Sequence, residues 1–279
     1  MSIPFGHREL HNRYCFEGEL ELITPLRISS GRASDETDAP LMRTFNEIPY
    51  IPGSSLRGAV RSEVERIIAS VGKTAGLRSC ILFERTDDNC DKKARDFLSK
   101  LDNEDEKNER IAEFAEKELC DVCKLFGSPI YASRLVIEDA LPANKKLDKE
   151  SFKAHTRIRD GVAIDRDTGA AKDGAKFDFE VMEPGLAFRF KMVAENVATD
   201  KDRKLIDLIL NLLKCGLYVG GKRTGGLGKI KLKDKKGSNE VQSKFYEVTG
   251  FENPQALWAT LVGGNGEYKT IEWKEGSSC

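Results

Sequence analysis

Long apolar segments are missing from this 279-residue sequence. No stretch approaches the roughly 18–20 apolar residues of a membrane span, and the polar opening MSIPFGHREL lacks the apolar region of a signal peptide. Both absences predict a cytoplasmic protein with no membrane partner. With 39% hydrophobic and 33% charged residues, we expect one large or two modest soluble domains with a real core.

Histidine is scarce as well, with only His7, His11 and His155 in the chain. None of them stands in a pattern with a candidate nucleophile, so surface positions are expected for all three. The sequence therefore offers no histidine-based catalytic constellation.

Net charge is nearly absent, at −1, but the charges are segregated. Residues 84–121 carry 14 acidic and 8 basic side chains, whereas residues 214–236 carry 8 basic and 1 acidic. A basic segment on a neutral protein indicates a polyanionic partner. A solvated, lysine-rich strand end would show the same composition.

Hydrophobic periodicity predicts an α+β fold. Phe16–Ile23 alternates apolar residues with glutamates, which is typical of a half-buried strand. The apolar series from Leu56 to Val71 follows Pro52-Gly53-Ser54-Ser55 and predicts a helix with a serine N-cap. Similar patterns predict strands at Arg134–Glu138, Phe188–Met192 and Lys229–Lys233, and a helix over Leu205–Leu217. The order β-α-β-β-α-β is the ferredoxin-like arrangement, which RNA-recognition domains also use.

Two insertions interrupt this order, at residues 76–128 and 141–183. In the second, Val162 and Ile164 lead into the turn Asp167-Thr168-Gly169, and alternating apolar residues return from Phe177, which predicts a projecting hairpin.

Four cysteines occur in the first insertion. Cys120-Asp-Val-Cys123 is a CxxC pair, and Cys80 and Cys90 stand upstream. Four thiolates can surround Zn²⁺ tetrahedrally, and the highly charged insertion has little apolar surface to hold it together. We therefore predict a structural zinc site, with unrelated thiols as the alternative. No histidine lies nearby in sequence, which disfavours catalytic zinc.

The stretch VGGKRTGGLG, residues 219–228, holds five glycines around Lys222 and Arg223. A nucleotide-binding P-loop needs a hydroxyl after the lysine and a strand-to-helix context. Here arginine follows the lysine, and a helix precedes the loop. The stretch therefore predicts a flexible cationic loop for phosphodiesters, with a tight helix-to-strand turn as the alternative.

A second polar loop, Ser34–Arg43, carries three carboxylates: Asp35, Glu36 and Asp38. An ordinary solvated loop has this composition. A carboxylate beside a bound phosphodiester could also hold a divalent metal or assist proton transfer from a ribose 2′-hydroxyl.

Three ordered motifs carry a resemblance to a known family. They are Ile51-Pro-Gly-Ser-Ser-Leu-Arg-Gly58, Lys124-Leu-Phe-Gly-Ser128 with Ser133-Arg-Leu135, and the glycine-rich stretch through Gly228. Over roughly residues 14–233 the chain closely resembles the repeat-associated (RAMP) proteins that form the backbone of type III CRISPR effector complexes.

The resemblance implies a single domain built on a ferredoxin-like palm. The palm comprises residues 14–75, 129–140 and 184–233, and the insertions become a zinc-binding segment, 76–128, and a thumb hairpin, 141–183. Residues 234–279 form a C-terminal extension without a counterpart.

The resemblance also implies the partners. The palm would hold guide CRISPR RNA, and the hairpin around residues 158–182 would intrude on the guide–target duplex. Copies or paralogues of the chain, together with other effector subunits, would stack along the guide as a filament. The implied RNA contacts are Gly53, Ser54, Ser55, Arg57, Arg61, Gly220, Gly221, Lys222, Arg223, Thr224 and Gly225.

Catalysis is implied for Asp38, because Thr37-Asp38-Ala39-Pro40 matches the Thr-Asp-x-Pro context of members that cut complementary target RNA with Mg²⁺ or Mn²⁺. The family pattern also predicts an acidic residue soon after Arg43, where this chain has Thr44-Phe45. Two alternatives stay open: a structural RNA-binding subunit without activity, and a precursor-processing endonuclease using His7 or His11 as general base.

Overall fold

The computed structural model describes residues 10–81, 89–101, 107–144, 148–233 and 242–247. The elements in chain order are β1 (Asn12–Leu22), α1 (Gly53–Ala75), α2 (Cys90–Leu98), α3 (Lys107–Glu118), α4 (Asp121–Phe126), β2 (Leu135–Ile137), α5 (Lys149–Lys153), β3 (Thr156–Ile164), β4 (Ala171–Met182), β5 (Ala187–Glu195), α6 (Asp200–Cys215), β6 (Leu217–Tyr218), β7 (Lys229–Leu232) and β8 (Gln242–Glu247). The predicted strands and helices are β1, α1, β2, β5, α6 and β7, in the predicted order.

The four predicted strands and β6 form one antiparallel sheet in the order β2-β5-β1-β7-β6. Strand β8 pairs with the first half of β1, on residues Asn12–Glu17, while β7 pairs with Leu20–Leu22. Neither β6 nor β8 was predicted, because a two-residue strand and a short strand in the C-terminal extension leave little periodic signal. The rest of residues 234–279 lies outside the described part of the chain.

One face of the sheet is the core. Phe16, Leu20 and Leu22 of β1 are fully buried, as their alternation predicts. Each such side chain contributes about 1.5–3 kcal/mol when removed from water. Helices α1 and α6 contact each other and the sheet, α1 at β2 and α6 at β7. Among the described residues, no helix has both the length and the apolar character needed to cross a membrane.

The start of α1 differs from the predicted serine cap. Pro52 occupies the N-cap position, and the amide of Gly53 donates to Oδ1 of Asp139 at 2.7 Å. The cap therefore comes from the segment after β2, which sequence periodicity cannot reveal. A Cβ at Gly53 would collide with the carbonyl oxygen of Ile137, so glycine lets the helix start lie directly against the sheet.

The second insertion contains the predicted hairpin. Strands β3 and β4 form a separate two-stranded antiparallel sheet, in which Asp160 lies opposite Asp178 and Gly161 opposite Phe177. Its base is anchored by a small apolar cluster that joins three segments: Ala39, Phe179, Val181 and Leu227. The hairpin is thereby tied to both polar loops singled out in the sequence.

Candidate nucleic-acid interface and catalytic loop

The polar loop Ser34–Arg43, called the acidic loop from here on, runs along β4 of the hairpin. The segment that leads into this loop is fixed by two backbone hydrogen bonds of 2.9 Å between Leu26 and Met182. Further along, the amide of Glu180 donates to the carbonyl of Ala39 at 3.1 Å. The loop is therefore attached like a partial third strand, which reduces its conformational freedom in a way that its polar sequence does not suggest.

Asp38 and Asp178 hold each other by reciprocal hydrogen bonds. The amide of Asp38 donates to Oδ1 of Asp178 at 2.8 Å, and the amide of Asp178 donates to Oδ2 of Asp38 at 3.1 Å. The buried hydroxyl of Thr37 also donates to Oδ1 of Asp178, at 2.5 Å. Asp38 is exposed, and among the described residues its Oδ1 has no hydrogen-bond partner. One carboxylate oxygen of this exposed residue is therefore held by β4, and the other is not.

These contacts affect the pKa of Asp178. The hydroxyl of Thr37, followed by the amide of Asp38, lowers the pKa of Asp178 below its ordinary value. Because hydrogen bonds to the ionised form favour it, Asp178 remains an acceptor at neutral pH. Asp178 carried no signal in the sequence, since it belongs to a strand about 140 residues from the loop it holds.

Glu180 of β4 supplies a carboxylate partner for Arg43, although the acidic residue expected soon after Arg43 in the sequence is absent. Its Oε2 accepts the amide of Leu41 at 3.0 Å, and its Oε1 accepts the guanidinium of Arg43. Glu180 is nearly buried, so the pair is shielded from solvent. The acid partner of Arg43 thus comes from β4 rather than from the loop itself, and sequence spacing could not have found it.

The glycine-rich stretch, residues 219–228, is called the glycine loop from here on, and at position 220 it needs glycine because its backbone lies against Arg27. Gly220 has φ 81°, and a Cβ there would collide with the carbonyl oxygen of Arg27, which accepts the amide of Gly221 at 2.9 Å. Lys222 itself has φ 56° and begins the 3₁₀ turn Arg223–Gly225. The amides of Gly221, Gly225 and Gly228 thus all donate within the protein, which favours the tight-turn alternative for part of this stretch.

Lys222 and Arg223 have different surroundings. The Nζ of Lys222 lies 4.1 Å from the ring centroids of both Phe177 and Phe179, whereas Arg223 and Thr224 are exposed. Burial, followed by the charge of Arg27, lowers the pKa of Lys222. Cation–π contacts of this kind contribute about 0.5–2 kcal/mol. Lys222 therefore joins the glycine loop to the hairpin, and Arg223 is the freer cation.

Arg27 adds a second cation at this junction. Its guanidinium carbon lies 4.9 Å from the centroid of Phe179, and its Nε is a buried donor without a partner among the described residues. The acidic loop, the glycine loop and the hairpin therefore meet around Phe179. Lys222 and Arg27 thus both lie against aromatic rings of β4, and Asp38 lies on the neighbouring acidic loop.

The RNA contacts predicted at the start of α1 also include both exposed and buried residues. Ser54 is exposed and Ser55 half-buried, whereas Gly53 is buried against the sheet. The guanidinium of Arg57 donates to the carbonyl of Phe126, and burial, followed by the charge of Arg61, lowers the pKa of Arg57. Arg57 is therefore engaged in holding the Leu125–Ser128 turn.

Arg61 lies inside the protein, only 8% exposed. Its Nε donates to Glu65 at 2.7 Å, one amino group donates to the carbonyl of Gly127 at 3.2 Å, and the other donates to Sγ of Cys123 at 3.2 Å. This burial argues against the predicted phosphate contact. Instead, Arg61 connects α1 to the cysteines.

The four predicted cysteines form one cluster. The Sγ atoms of Cys80, Cys90, Cys120 and Cys123 all lie within 4.8 Å of one another. The Sγ of Cys80 is 3.6 Å from that of Cys123 and 3.8 Å from that of Cys120. Sulfurs at the corners of a tetrahedron with Zn–S bonds of about 2.3 Å are about 3.8 Å apart. The cluster could therefore hold a metal ion.

Local structure brings these thiols together. Cys120 is the N-cap of α4, and its Sγ accepts the amide of Cys123 at 3.4 Å. Cys90 begins α2, and its Sγ accepts the amide of Cys120 at 3.2 Å. Hydrogen bonds from Cys120 and then from Cys80 and Cys90 raise the pKa of the Cys123 thiol. A cation at the centre would relieve this competition for protons.

The histidines give little to the candidate site. The amide of His11 donates to Asn196 at 2.8 Å, and the ring of His155 packs edge-on against Phe152. His7 lies outside the described residues. The precursor-processing alternative gains no support from these contacts.

Comparison with known proteins gives consistent relatives. The chain is 27% identical over 241 residues to the "CRISPR system Cms endoribonuclease Csm3" of Methanocaldococcus jannaschii, covering 81% of this chain and 80% of that protein. Proteins of the same name are 25% identical in Methanothermobacter thermautotrophicus, over 90% of this chain and 96% of that protein, and 24% identical in Streptococcus thermophilus, over 92% and 93%. The sequence profile of the RAMP superfamily matches residues 19–231. The three ordered motifs and both predicted helices lie inside that span, and the chain belongs to the RAMP superfamily.

Proposed function

We propose that this protein is a guide-RNA-binding backbone subunit of a type III CRISPR complex that cleaves complementary target RNA with Asp38. The observation that carries the proposal is the exposed Asp38, with one oxygen free and the other held by β4. The relatives named endoribonuclease support the same activity.

The proposed architecture is a ferredoxin-like palm with two insertions. The strand order β2-β5-β1-β7 and the two helices on the sheet support it. Residues 14–75, 129–140 and 184–233 form the palm, residues 76–128 the cysteine-rich insertion and residues 141–183 the thumb. Stacking of copies along one guide RNA, together with other effector subunits, completes the proposed assembly.

Guide RNA would be held mainly by exposed groups at the helix start and glycine loop. Ser54, Arg223 and Thr224 are exposed, and they are the best placed of the predicted contacts to meet phosphates. The aromatic residue Phe177 is 38% exposed on the hairpin, where a base could stack on it.

Cleavage requires a group that positions the attacking 2′-hydroxyl or a metal beside it. The free oxygen of Asp38 would hold Mg²⁺ or Mn²⁺, an ion that neutralises charge on the reacting phosphate. The chain itself contributes the orientation of that oxygen, through the amide of Asp178 and the loop contacts of Glu180.

A structural subunit without activity is the alternative. Two sequence observations favour it: Thr44-Phe45 stands where the family has an acidic residue soon after Arg43, and no other catalytic constellation is present. The pairing of Arg43 with Glu180 of β4 gives the loop a carboxylate contact of a different origin. Purification of the assembled complex tests both functions: we expect bound RNA with repeat-derived sequence, and cleavage of complementary RNA in Mg²⁺ that stops with chelator. Guide-bound complex that never cuts in Mg²⁺ or Mn²⁺ would establish the alternative.

Replacing Arg223 by alanine is expected to weaken RNA binding about equally for all sequences. Losing one phosphate contact should reduce the slope of log affinity against log salt by about 0.7 on single-stranded RNA. Filter binding across a salt series measures this. Arg66→Ala is the matched control, because Arg66 is exposed but paired with Glu63 on α1. An unchanged slope in Arg223→Ala would contradict the phosphate role.

The cysteine cluster is proposed to bind structural zinc. We expect about one zinc per chain by elemental analysis and a lower melting temperature for Cys120→Ser, because the metal cross-links the insertion. Cys15→Ser is the control for zinc content, since Cys15 is a buried cysteine of β1 outside the cluster. Equal zinc content in wild type and Cys120→Ser would show that the thiols do not bind the ion.

A further inference from the structure

We propose that Asp178 is a positioning residue for Asp38, so that cleavage depends on a hydrogen-bonded contact between the hairpin and the catalytic loop. This inference rests on the proposed cleavage function. It concerns the reciprocal pair described above, in which Asp178 Oδ1 accepts two donors from the Thr37–Asp38 turn.

The contact defines the orientation of Asp38. Its backbone amide is bound to the Asp178 side chain, and its side-chain Oδ2 is bound to the Asp178 amide. Two bonds at opposite ends of one residue fix both the local backbone and the rotation of the carboxylate. Because Asp38 is exposed, few packing contacts could replace them. Misplacing a reacting group by about 1 Å costs on the order of 100-fold in rate.

The hairpin is a suitable platform for this role. Alternation along β4 puts Asp178 and Glu180 on one face and Phe177 and Phe179 on the other. The first face holds the acidic loop, while the rings of the second contact Lys222 of the glycine loop. Strand β4 thus joins Asp38 to the glycine loop. If RNA binding moved the hairpin, the movement would be transmitted to Asp38.

Asp178 acts here through hydrogen bonding rather than through charge. The oxygen of an asparagine side chain would still accept the Thr37 hydroxyl and the Asp38 amide, whereas alanine would accept neither. A residue that bound metal would behave differently, because asparagine is a weaker ligand than a carboxylate. The pair of substitutions therefore separates positioning from metal binding.

The test uses complexes assembled with wild type, Asp178→Ala, Asp178→Asn and Asp160→Ala. Asp160 is the matched control, because it is an aspartate directly opposite Asp178 on β3 and pairs instead with Lys176 at 3.5 Å. Single-turnover cleavage of complementary RNA in Mg²⁺ gives the rate, and titration in chelator gives target affinity. Hydrogen exchange over residues 34–41 reports the loop contact independently of activity.

We expect Asp178→Ala to cleave about 100-fold more slowly with unchanged target affinity. Asp178→Asn should stay within about tenfold of wild type, and Asp160→Ala should match wild type. Exchange over residues 34–41 should rise in Asp178→Ala alone. Wild-type cleavage by Asp178→Ala, equal loss in Asp178→Asn, loss of target binding, or unchanged exchange would each overturn the inference. A wild-type complex that binds target without cutting would instead overturn the proposed cleavage function.

Discussion

Replacing Asp38 by alanine is expected to lower the rate of target RNA cleavage by about 10²–10⁴-fold, the range of a lost acid–base or metal-positioning group. The affinity for target RNA should be nearly unchanged, because a negatively charged carboxylate does not attract phosphates. Single-turnover cleavage in Mg²⁺, with affinity measured in chelator, separates the two effects.

Asp35→Ala is the matched control for this substitution. Asp35 is also an exposed carboxylate of the same loop, three residues away, and Glu36 is a third. Of these three carboxylate residues, Asp38 alone is bound to β4 by both its amide and its side chain in the described part of the chain. We therefore expect Asp35→Ala to cleave like wild type. Wild-type cleavage by Asp38→Ala, or a comparable loss in Asp35→Ala, would contradict the assignment.

Replacing Arg134 by methionine is expected to lower the free energy of unfolding by about 3–5 kcal/mol, because it leaves a buried carboxylate without its counter-ion. Arg134 is 1% and Asp202 5% exposed. The guanidinium donates to both carboxylate oxygens, at 2.6 and 3.1 Å, and to the carbonyl of Asn196 at 2.7 Å. The pair joins the start of β2 to the start of α6.

Asp202 also caps its own helix. Its carboxylate accepts the amides of Ala198 and Thr199, and its amide donates to the hydroxyl of Thr199. Burial acts to raise the pKa of Asp202, but the hydrogen bond and charge of Arg134 outweigh it and lower the pKa below its ordinary value. The stability from this group is therefore complete above the unfolded-state pKa of about 3.9 and is lost as the pH falls from there through the lower folded value.

Urea denaturation at pH 7 measures this effect. Arg66→Met is the control: Arg66 is an exposed arginine paired with Glu63, and its loss should cost under about 1 kcal/mol. Equal stability of the two variants would mean that the Arg134–Asp202 pair is not desolvated as described. At pH values approaching 3, the difference between wild type and Arg134→Met should shrink, because the unpaired carboxylate can then take up a proton.

The fold could largely be predicted from hydrophobic periodicity, and each exception has a specific physical cause. β1 and α6 have strong apolar patterns that reflect burial on one face, so both were predicted. In α1 the same logic was right for the buried Leu56, Val60, Val64 and Ile68, but Val71 is 53% exposed near the end of the helix. The N-cap prediction was wrong because Asp139, a residue far along the chain, supplies the acceptor.

Only part of the candidate site could be predicted from the sequence. The cysteines of the predicted zinc site were identified by their spacing, because ligands to one ion must be few, close and chemically matched. Asp38 came from a resemblance in one short motif. The partners of Asp38 and Arg43 could not be predicted, since Asp178 and Glu180 look like the polar face of an ordinary strand.

The sequence by itself determined the order of the six predicted strands and helices, the hairpin, the four candidate metal ligands and the two polar loops, because each depends on local spacing in the chain. The tertiary structure decided which of the cations face solvent and which act inside: Arg61 is buried beside Cys123, and Lys222 lies over two aromatic rings, while Arg223 stays exposed. It also brought Asp178 to Asp38 across about 140 residues of chain. Such pairings depend on how the hairpin packs against loops that are distant in sequence, and this packing leaves no periodic pattern along the chain.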